Sequence, residues 1–183
     1  MKCPVCREDT LHATKLDLDI PGYRCERCTG TWISSNEYLA WFKATGSRLP
    51  DKPGDGAELP TWDTQDLKLC PDCGHILTRY QVLPNAQFNL DRCGHCNGVW
   101  FDHGEWEVVA ARNLHDKVNL FFTQPWQARV HDEQTRMVLD KLYQEKFGAD
   151  DYAKIQAFRQ WLIAHPRRAM LMAFLQAENP YKI

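Results

Sequence analysis

The cysteines of this 183-residue chain have the spacing of metal ligands. All eight fall into four Cys-x-x-Cys pairs, which form two sets along the chain: Cys3, Cys6, Cys25 and Cys28, then Cys70, Cys73, Cys93 and Cys96. The spacing between the pairs of each set fits a four-cysteine zinc site. Two such turns close a tetrahedron of thiolates around one ion and leave no position for water. The pattern therefore predicts two structural Zn²⁺ ions and no catalytic residue.

Disulfide bonds and iron are the alternatives to zinc. No apolar signal segment precedes Cys3, and no apolar run approaches the roughly 18 residues of a membrane span. These features predict a cytoplasmic, reducing location, where disulfides are rare. Zinc is favoured over iron because nothing else in the sequence indicates electron transfer, although the cysteines alone do not separate the two metals.

The cysteine sets are parts of an internal repeat. Gly30-Thr31-Trp32 corresponds to Gly98-Val99-Trp100, and Glu37 corresponds to Glu105. A duplicated domain is the simplest explanation.

Each copy also carries a helix start signal. Ser34 and Asp102 each precede a glutamate by three residues, which is typical of a capping box. We therefore expect each copy to end in a short helix. Trp32 and Trp100 lie between the last cysteine pair and that helix, where their rings can cover the metal site. Exposure of these tryptophans as docking residues is the alternative.

These residues resemble the zinc-ribbon family of the transcription factor IIB type. That family has Cys-Pro-x-Cys, a short hairpin, Cys-x-x-Cys-x-Gly-x-Trp and a helix led by Glu, and both copies match over residues 1–43 and 68–111. The first copy has Arg7 where the second has Gly74, which leaves the ligands intact but can alter the turn. The resemblance implies fold and zinc more than function, because family members are mostly described by their domain alone.

The predicted fold class is small zinc-bound β domains plus α. It consists of two tandem four-cysteine zinc ribbons, each ending in a short helix, followed by a helical C-terminal segment at 112–183. Residues 44–67 are rich in Gly and Pro, which predicts a linker. Trp62 is the only large aromatic residue of the linker, and it either pins the linker onto a ribbon or serves as a docking residue.

Three helices are predicted beyond the second ribbon, separated by breaks at Pro125, Gly148 and Pro166. The last helix is short and very apolar. We expect its residues Met170, Leu171, Phe174 and Leu175 to pack against the preceding helices. Binding to a protein groove or a membrane surface is the alternative.

The charge balance weakens the case for nucleic acid as the partner. The chain has 22 basic and 24 acidic residues, and residues 70–110 contain only two basic residues. A four-thiolate zinc site adds a net charge of about −2 when every thiolate is ionised. Tight sequence-independent binding to nucleic acid needs several Lys or Arg contacts to phosphate, and the ribbons offer no evident basic surface.

Three functions are compatible with these features. The first is a non-enzymatic zinc-binding adaptor that presents both ribbons and the helical tail to a protein assembly, with an unidentified protein as partner. The second is a nucleic-acid or transcription-associated protein. The candidate contacts for either partner are Arg7, Arg24, Arg27, Arg167 and Arg168. The third is a redox-responsive protein in which oxidation of the thiolates ejects zinc. No membrane partner and no small-molecule substrate are expected.

Overall fold

The chain folds into two compact units, Met1–Glu133 and Gln134–Ile183. The computed structural model describes residues 1–45 and 60–181. Residues 46–59, the middle of the predicted linker, lie outside the described residues. The first unit contains both cysteine sets, and it extends beyond residue 111, the predicted end of the second ribbon.

Each cysteine set belongs to a copy of the same three-stranded unit followed by a helix. The first copy contains β1 (Leu11–Lys15), a 3-10 turn (Asp17–Asp19), β2 (Pro21–Cys25), β3 (Thr31–Ile33) and α1 (Ser35–Ala44). The second copy contains β4 (Leu77–Tyr80), β5 (Leu90–Cys93), β6 (Val99–Phe101) and α2 (Glu105–Ala111). The prediction of two ribbons that each end in a short helix is confirmed.

The two ribbons share one sheet. Six antiparallel strands are ordered β1-β2-β3-β6-β5-β4, so that the last strand of each ribbon pairs with the last strand of the other. Trp32 lies opposite Trp100, flanked by the pairs Thr31–Phe101 and Ile33–Val99. This register is symmetric about the tryptophan pair. The ribbons are therefore halves of one structure related by a local pseudo-twofold axis.

Each tryptophan fills the space above a glycine of the other ribbon. A Cβ atom added to Gly98 would lie 2.2 Å from Cζ2 of Trp32, and one added to Gly30 would lie 2.3 Å from Cζ2 of Trp100. Both indole rings are fully buried, in one cluster with the buried cysteines of both sets. The prediction that the tryptophans cover the metal sites is confirmed, and their burial excludes the docking alternative.

The opposite face of the shared sheet packs on the helices. Because side chains alternate along a strand, the neighbours of the two tryptophans point away from the cysteines. Ile33, Val99 and Phe101 lie there in a buried cluster with Tyr38 of α1 and Trp106 of α2. The sheet therefore separates the metal-binding layer from an apolar core.

The two capping signals behave differently. Ser34 is the N-cap of α1, and its Oγ accepts a hydrogen bond from the Glu37 backbone N–H at 3.3 Å, as predicted. In the second ribbon α2 begins after Gly104, which has a φ of 80°. Only half of a capping box forms there, because Glu105 Oε2 accepts from the Asp102 backbone N–H while the Asp102 carboxylate binds other donors.

The three predicted C-terminal helices are present, preceded by one short helix. They are α3 (Val118–Phe121), α4 (Gln124–Phe147), α5 (Ala149–Ala164) and α6 (Arg168–Gln176). In the first compact unit, Met1–Glu133, which we call the ribbon unit, Nε1 of Trp126 at the start of α4 donates to the Val82 carbonyl at 2.9 Å. Among the described residues, no helix is both long and apolar enough to span a membrane.

The expectation that α6 packs its apolar residues against the preceding helices is wrong for most of them. No residue of α6 is buried, and Met170, Phe174 and Leu175 are at least half exposed, whereas Leu171 is half-buried. α6 contacts α5, but this contact leaves most of the apolar side chains of α6 exposed.

Replacement of Gly98 by Ala tests the cross-ribbon packing. The new Cβ would overlap the fully buried Trp32 ring, so we expect a loss of about 3 kcal/mol or more in the free energy of unfolding. Gly94→Ala is the matched control, because nothing lies within 4 Å of its added Cβ, and it should stay within about 0.5 kcal/mol of wild type. Chemical denaturation measures both, and equal stabilities of the two variants would contradict the packing.

Candidate metal centres

The first cysteine set forms a compact four-sulfur cage. Its sulfur atoms all lie within 4.8 Å of one another, with Cys3 and Cys28 Sγ 3.6 Å apart and Cys6 and Cys25 Sγ 3.9 Å apart. A zinc ion with Zn–S bonds of about 2.3 Å requires sulfur–sulfur edges of about 3.8 Å. The four sulfurs therefore fit one zinc ion without large rearrangement.

The second set has the same arrangement. Cys70 and Cys96 Sγ are 3.5 Å apart, and Cys73 and Cys93 Sγ are 3.4 Å apart. In each set the first and third cysteines are buried and the other two are half-buried. Both sets are thus positioned to bind zinc, and four protein ligands at each site leave no open coordination position.

Equivalent turns hold the ligands in both ribbons. Arg7 and Gly74 follow the first cysteine pair of their sets and have φ angles of 63° and 73°. Thr29 and Asn97 follow the second pairs, with φ angles of 57° and 62°. Arg7 thus adopts the conformation that glycine adopts in the other ribbon, and the sequence difference at this position does not change the turn.

The thiols within each site differ in pKa. A hydrogen bond with the Cys28 thiol lowers the pKa of Cys3 to about 5, whereas burial raises the pKa of Cys6 to about 11. In the second site, burial opposes ionisation of Cys93, but the backbone N–H groups of Cys96 and His95 outweigh it and its pKa falls to about 7. Zinc needs all four ligands as thiolates, so metal binding displaces protons from the remaining thiols.

A hydrogen bond of the Trp32 indole connects the first ribbon directly to the metal site of the second. Nε1 of Trp32 donates to Oδ2 of Asp72 at 3.0 Å, and Asp72 lies between the ligands Cys70 and Cys73. In the first ribbon Val5 holds the position that corresponds to Asp72, and Nε1 of Trp100 donates to Asp102 instead. The two sites therefore share a core but differ in their hydrogen bonds.

A buried ion network lies beside the second site, and it was not predicted from the sequence. Lys68 is 1% exposed, and its Nζ lies 2.6 Å from Asp91 Oδ2 and 3.2 Å from Asp102 Oδ2. The Asp102 carboxylate also accepts from the backbone N–H and the hydroxyl of Thr64. A lysine is rarely buried, so nothing in the sequence marked Lys68 as an interior residue.

This network anchors the end of the predicted linker to the second ribbon. The Trp62 backbone N–H donates to the His103 carbonyl at 3.0 Å, next to the Thr64 contacts with Asp102. The Trp62 ring itself is 77% exposed. A hydrogen bond therefore holds the Trp62 backbone against the ribbon, while the Trp62 side chain remains accessible to a partner.

Three carboxylates of this region, those of Asp63, Asp102 and Glu105, lie within 4.8 Å of one another. The oxygens of Asp63 accept from Arg79, and those of Asp102 accept from neighbouring donors. Glu105 Oε1 is buried and has no hydrogen-bond partner among the described residues. Because Lys68 and Arg79 already supply the positive charge, these carboxylates form a structural network rather than a third metal site.

Burial keeps the Glu105 side chain protonated. Desolvation, reinforced by the nearby negative charge of Asp102, raises the pKa of Glu105 to about 10. Lys68 and Arg79 face the same cluster, but their charges are taken up by Asp91, Asp102 and Asp63. At neutral pH the folded chain therefore holds a proton that the unfolded chain releases, which lowers stability as the pH rises.

The candidate contact arginines belong to both compact units. Arg7 and Arg27 are exposed at the turns of the first metal site, where Arg27 Nη1 lies 3.6 Å from Asp9 Oδ2. Arg24 is half-buried, and its Nε donates to the Thr29 carbonyl. The pair Arg167–Arg168 is exposed at the start of α6, in the other compact unit.

A cavity of about 370 Å³ opens beside the first metal site. The half-buried ligands Cys6 and Cys28 line it, together with Arg27. Trp62 and His103 also line it, and their rings are 6.1 Å apart. The cavity therefore combines a cation, an exposed aromatic ring and two thiolate ligands.

Cys25→Ser tests whether the two metal sites depend on each other. Cys25 lies at the end of β2, next to the shared β3–β6 pairing, so loss of the first site removes support from the second. We expect the remaining site to bind zinc at least about 10-fold more weakly than in the wild type. Zinc titration against a competing chelator measures this affinity. Cys93→Ser should weaken the first site in the same way, and an unchanged affinity at the remaining site would show that the ribbons are independent.

Glu105→Gln should stabilise the protein at neutral and alkaline pH. The folded-state pKa of Glu105 lies above its unfolded value of about 4.5. The loss of folding stability that Glu105 causes is therefore absent well below pH 4.5 and grows until the pH passes about 10. We expect a gain on the order of 2 kcal/mol at pH 8 that shrinks toward pH 5, measured by denaturation at several pH values. Glu107→Gln, at a half-exposed residue that pairs with Arg24, is the control and should show no such gain. If the free energies of unfolding of the wild type and of Glu105→Gln differed by the same amount at every pH, Glu105 would not hold a proton in the folded state.

Comparison with known proteins identifies the ribbons. A family model described as a transcription factor zinc-finger matches residues 2–44 and 69–112. Searches of curated proteins and of solved structures each found no significant match. The matched ranges coincide with the two halves of the shared sheet and include all eight cysteines. Residues 2–44 and 69–112 are thus two tandem members of the transcription factor zinc-finger family, the zinc ribbon of the transcription factor IIB type.

Proposed function

We propose that this protein is a non-enzymatic zinc-binding adaptor that presents its paired ribbons to a protein assembly. The observation that carries the proposal is an exposed apolar edge on the second ribbon. Leu67, Leu69 and Ile76 are between 51% and 62% exposed, and Leu69 and Ile76 form an isolated β-bridge beside the start of β4. Exposed apolar side chains in neighbouring positions favour a protein partner.

The corresponding edge of the first ribbon is polar. Its isolated β-bridge joins Lys2 and Thr10, where the second ribbon has Leu69 and Ile76. The two metal-binding turns have the same backbone conformation, but the first carries the exposed Arg7 side chain where the second has Gly74. The ribbons therefore offer chemically different surfaces on one shared sheet, which suits an adaptor with two distinct contacts.

The charge of the ribbon unit also supports a protein partner over nucleic acid. Residues 1–133 contain 14 basic and 19 acidic side chains. Two zinc sites add a further net charge of about −4 when all thiolates are ionised. An acidic unit repels phosphate and attracts basic protein surfaces.

The closed coordination of both metal sites supports a role without catalysis. Catalytic zinc keeps one position for water or substrate, whereas each of these sites has four cysteine ligands. In this proposal zinc holds the fold, and the surfaces that it supports carry the interaction.

Nucleic-acid binding is the second candidate, and the cavity beside the first metal site favours it. Arg27 and the exposed ring of Trp62 line that cavity, and a cation beside an aromatic ring suits a phosphate and a stacked base. The same cavity exposes Cys6 and Cys28 to small oxidants, which favours the redox-responsive alternative. Both alternatives assign the function to the cavity beside the first metal site, and not to the apolar edge of the second ribbon.

Affinity purification of the tagged protein from its own cells, with and without nuclease, tests the proposal. We expect a defined protein partner that survives nuclease treatment and is lost from the Leu69→Asp/Ile76→Asp variant. Both side chains are exposed, so the variant should retain its two zinc ions. Thr10→Asp, at the corresponding bridge of the first ribbon, is the control and should keep the partner.

Other outcomes identify the alternatives. Loss of every partner on nuclease treatment, together with weaker binding of Arg7→Ala/Arg27→Ala, would assign the nucleic-acid function. Release of zinc by mild peroxide from the wild type, with a change of partner, would assign the redox function. Retention of all partners by Leu69→Asp/Ile76→Asp would rule out the apolar edge as the docking surface.

A further inference from the structure

The cavity beside the first metal site is lined in part by the linker end, which we define as residues 60–68. Trp62 and Thr64 of the linker end line this cavity of about 370 Å³ together with the metal ligands Cys6 and Cys28. Its volume lies within the range of ligand-binding pockets, about 300–1,000 Å³. The cavity is therefore large enough for a long side chain of a partner.

The equivalent place in the second ribbon is almost closed. Thr29 and His103 line the large cavity, and their Oγ1 and Nδ1 atoms are 2.5 Å apart. Their counterparts in the repeat, Asn97 and Ser35, line a cavity of only about 10 Å³. Residues of the linker end line the large cavity but not the small one. The repeat alone therefore does not account for the large cavity.

The buried ion network holds Trp62 at this cavity. Lys68 Nζ donates to the Thr64 carbonyl at 2.8 Å in addition to its two carboxylate contacts. A Cβ atom added to Gly104 would lie 2.2 Å from the Pro60 carbonyl oxygen, so the linker end lies directly on the start of α2. The Trp62 ring nevertheless remains 77% exposed. A tryptophan that is fixed in place and exposed is typical of the residues that dominate binding at interfaces.

The charges around the cavity favour a cation as its ligand. Arg27 lines the cavity, but its Nη1 lies 3.6 Å from Asp9 Oδ2, and the two charges offset each other. Lys68 offsets only one of the two carboxylates that it contacts, Asp91 and Asp102. The zinc site itself carries a net charge of about −2 when all four thiolates are ionised. The surroundings thus carry a net charge of roughly −3, which attracts a positive group.

We propose that the cavity binds an arginine side chain of the protein partner, with the guanidinium stacked on the Trp62 ring. A guanidinium is planar, so it covers an indole face while its edge donates hydrogen bonds. The half-buried sulfur atoms of Cys6 and Cys28 line the same cavity and accept such bonds. Arginine suits the site better than lysine, because the ammonium group of lysine is more strongly hydrated and does not stack.

This site rests on the proposed adaptor function and specifies the chemistry of the partner at the first ribbon. The cavity shares no residue with the apolar edge formed by Leu67, Leu69 and Ile76. A partner that contacts both therefore presents an arginine to one ribbon and apolar side chains to the other. The nucleic-acid alternative uses the same cavity with the opposite charge, because a phosphate is attracted by Arg27 and an arginine is repelled by it.

Nuclear magnetic resonance of the full-length, zinc-loaded, ¹⁵N-labelled protein tests the site with acetyl-arginine amide as the probe. We expect the indole N–H signal of Trp62, assigned by its absence from Trp62→Phe, to shift and to saturate with a Kd of about 1–10 mM. Acetyl-citrulline amide has nearly the same shape without the charge, and it should leave the signal in place. A shift that is equal for citrulline, larger for adenosine monophosphate or absent from Trp62 would overturn the proposal.

Variants separate the two charge assignments. Trp62→Ala should weaken binding of acetyl-arginine amide at least about 5-fold, followed through the backbone signals of Thr29 and His103. Arg27→Ala should strengthen binding about 3-fold, because it removes a like charge from the cavity. Arg7→Ala is the matched control, since Arg7 is exposed at the same metal site but does not line the cavity, and its effect should be smaller. Weaker binding by Arg27→Ala would overturn the arginine site and support a phosphate ligand.

Capture of the partner distinguishes failure of this site from failure of the adaptor function. Trp62→Ala should retain its two zinc ions, because the side chain is exposed, and should bind the partner at least about 5-fold more weakly. Full retention of the partner by Trp62→Ala, with release by Leu69→Asp/Ile76→Asp, would overturn the arginine site and leave the adaptor function in place. Absence of any protein partner would overturn the adaptor function, and with it the assignment of the arginine to a partner, even if acetyl-arginine amide bound as expected.

Discussion

The packing of two tryptophans against two glycines is the interaction on which the rest of the ribbon unit depends. Trp32 occupies the space above Gly98 and Trp100 the space above Gly30, and the strands that carry them pair in the centre of the sheet. A side chain on either glycine would push the rings apart and separate β3 from β6. The shared sheet, the common cluster of cysteines and the apolar core on the opposite face all require these two strands to stay together.

The shared core explains how two very small domains are stable side by side. A single zinc ribbon of about 40 residues buries little apolar surface, and metal binding supplies much of its folding free energy. Here the indole rings lie in one cluster with the cysteines of both sites, so each ribbon also gains the buried surface of the other. The hydrogen bond from Trp32 to Asp72 adds a directional contact to this shared core, because it joins a strand of the first ribbon to the metal-binding turn of the second.

Local patterns in the sequence predict the parts of the structure whose determinants are close together in the chain. The cysteine pairs, the N-cap Ser34 and the helix breaks at Gly148 and Pro125 each act within a few residues, and the structure confirms all of them. The β3–β6 pairing joins segments about 68 residues apart, and no local pattern specifies it. The burial of Lys68 depends on carboxylates from two other segments, so its position also follows only from the complete fold.

Duplication within a single sheet lets the two ribbons diverge without loss of the framework. The glycines, tryptophans and cysteines at the pseudo-twofold axis keep the same roles in both copies, because a change in one would alter the packing of the other. Positions away from the axis are free of that constraint. There the first ribbon carries Lys2 and Arg7, whereas the second carries an apolar edge and a buried ion network. The central symmetry thus fixes the geometry, and the asymmetric periphery determines what each ribbon can bind.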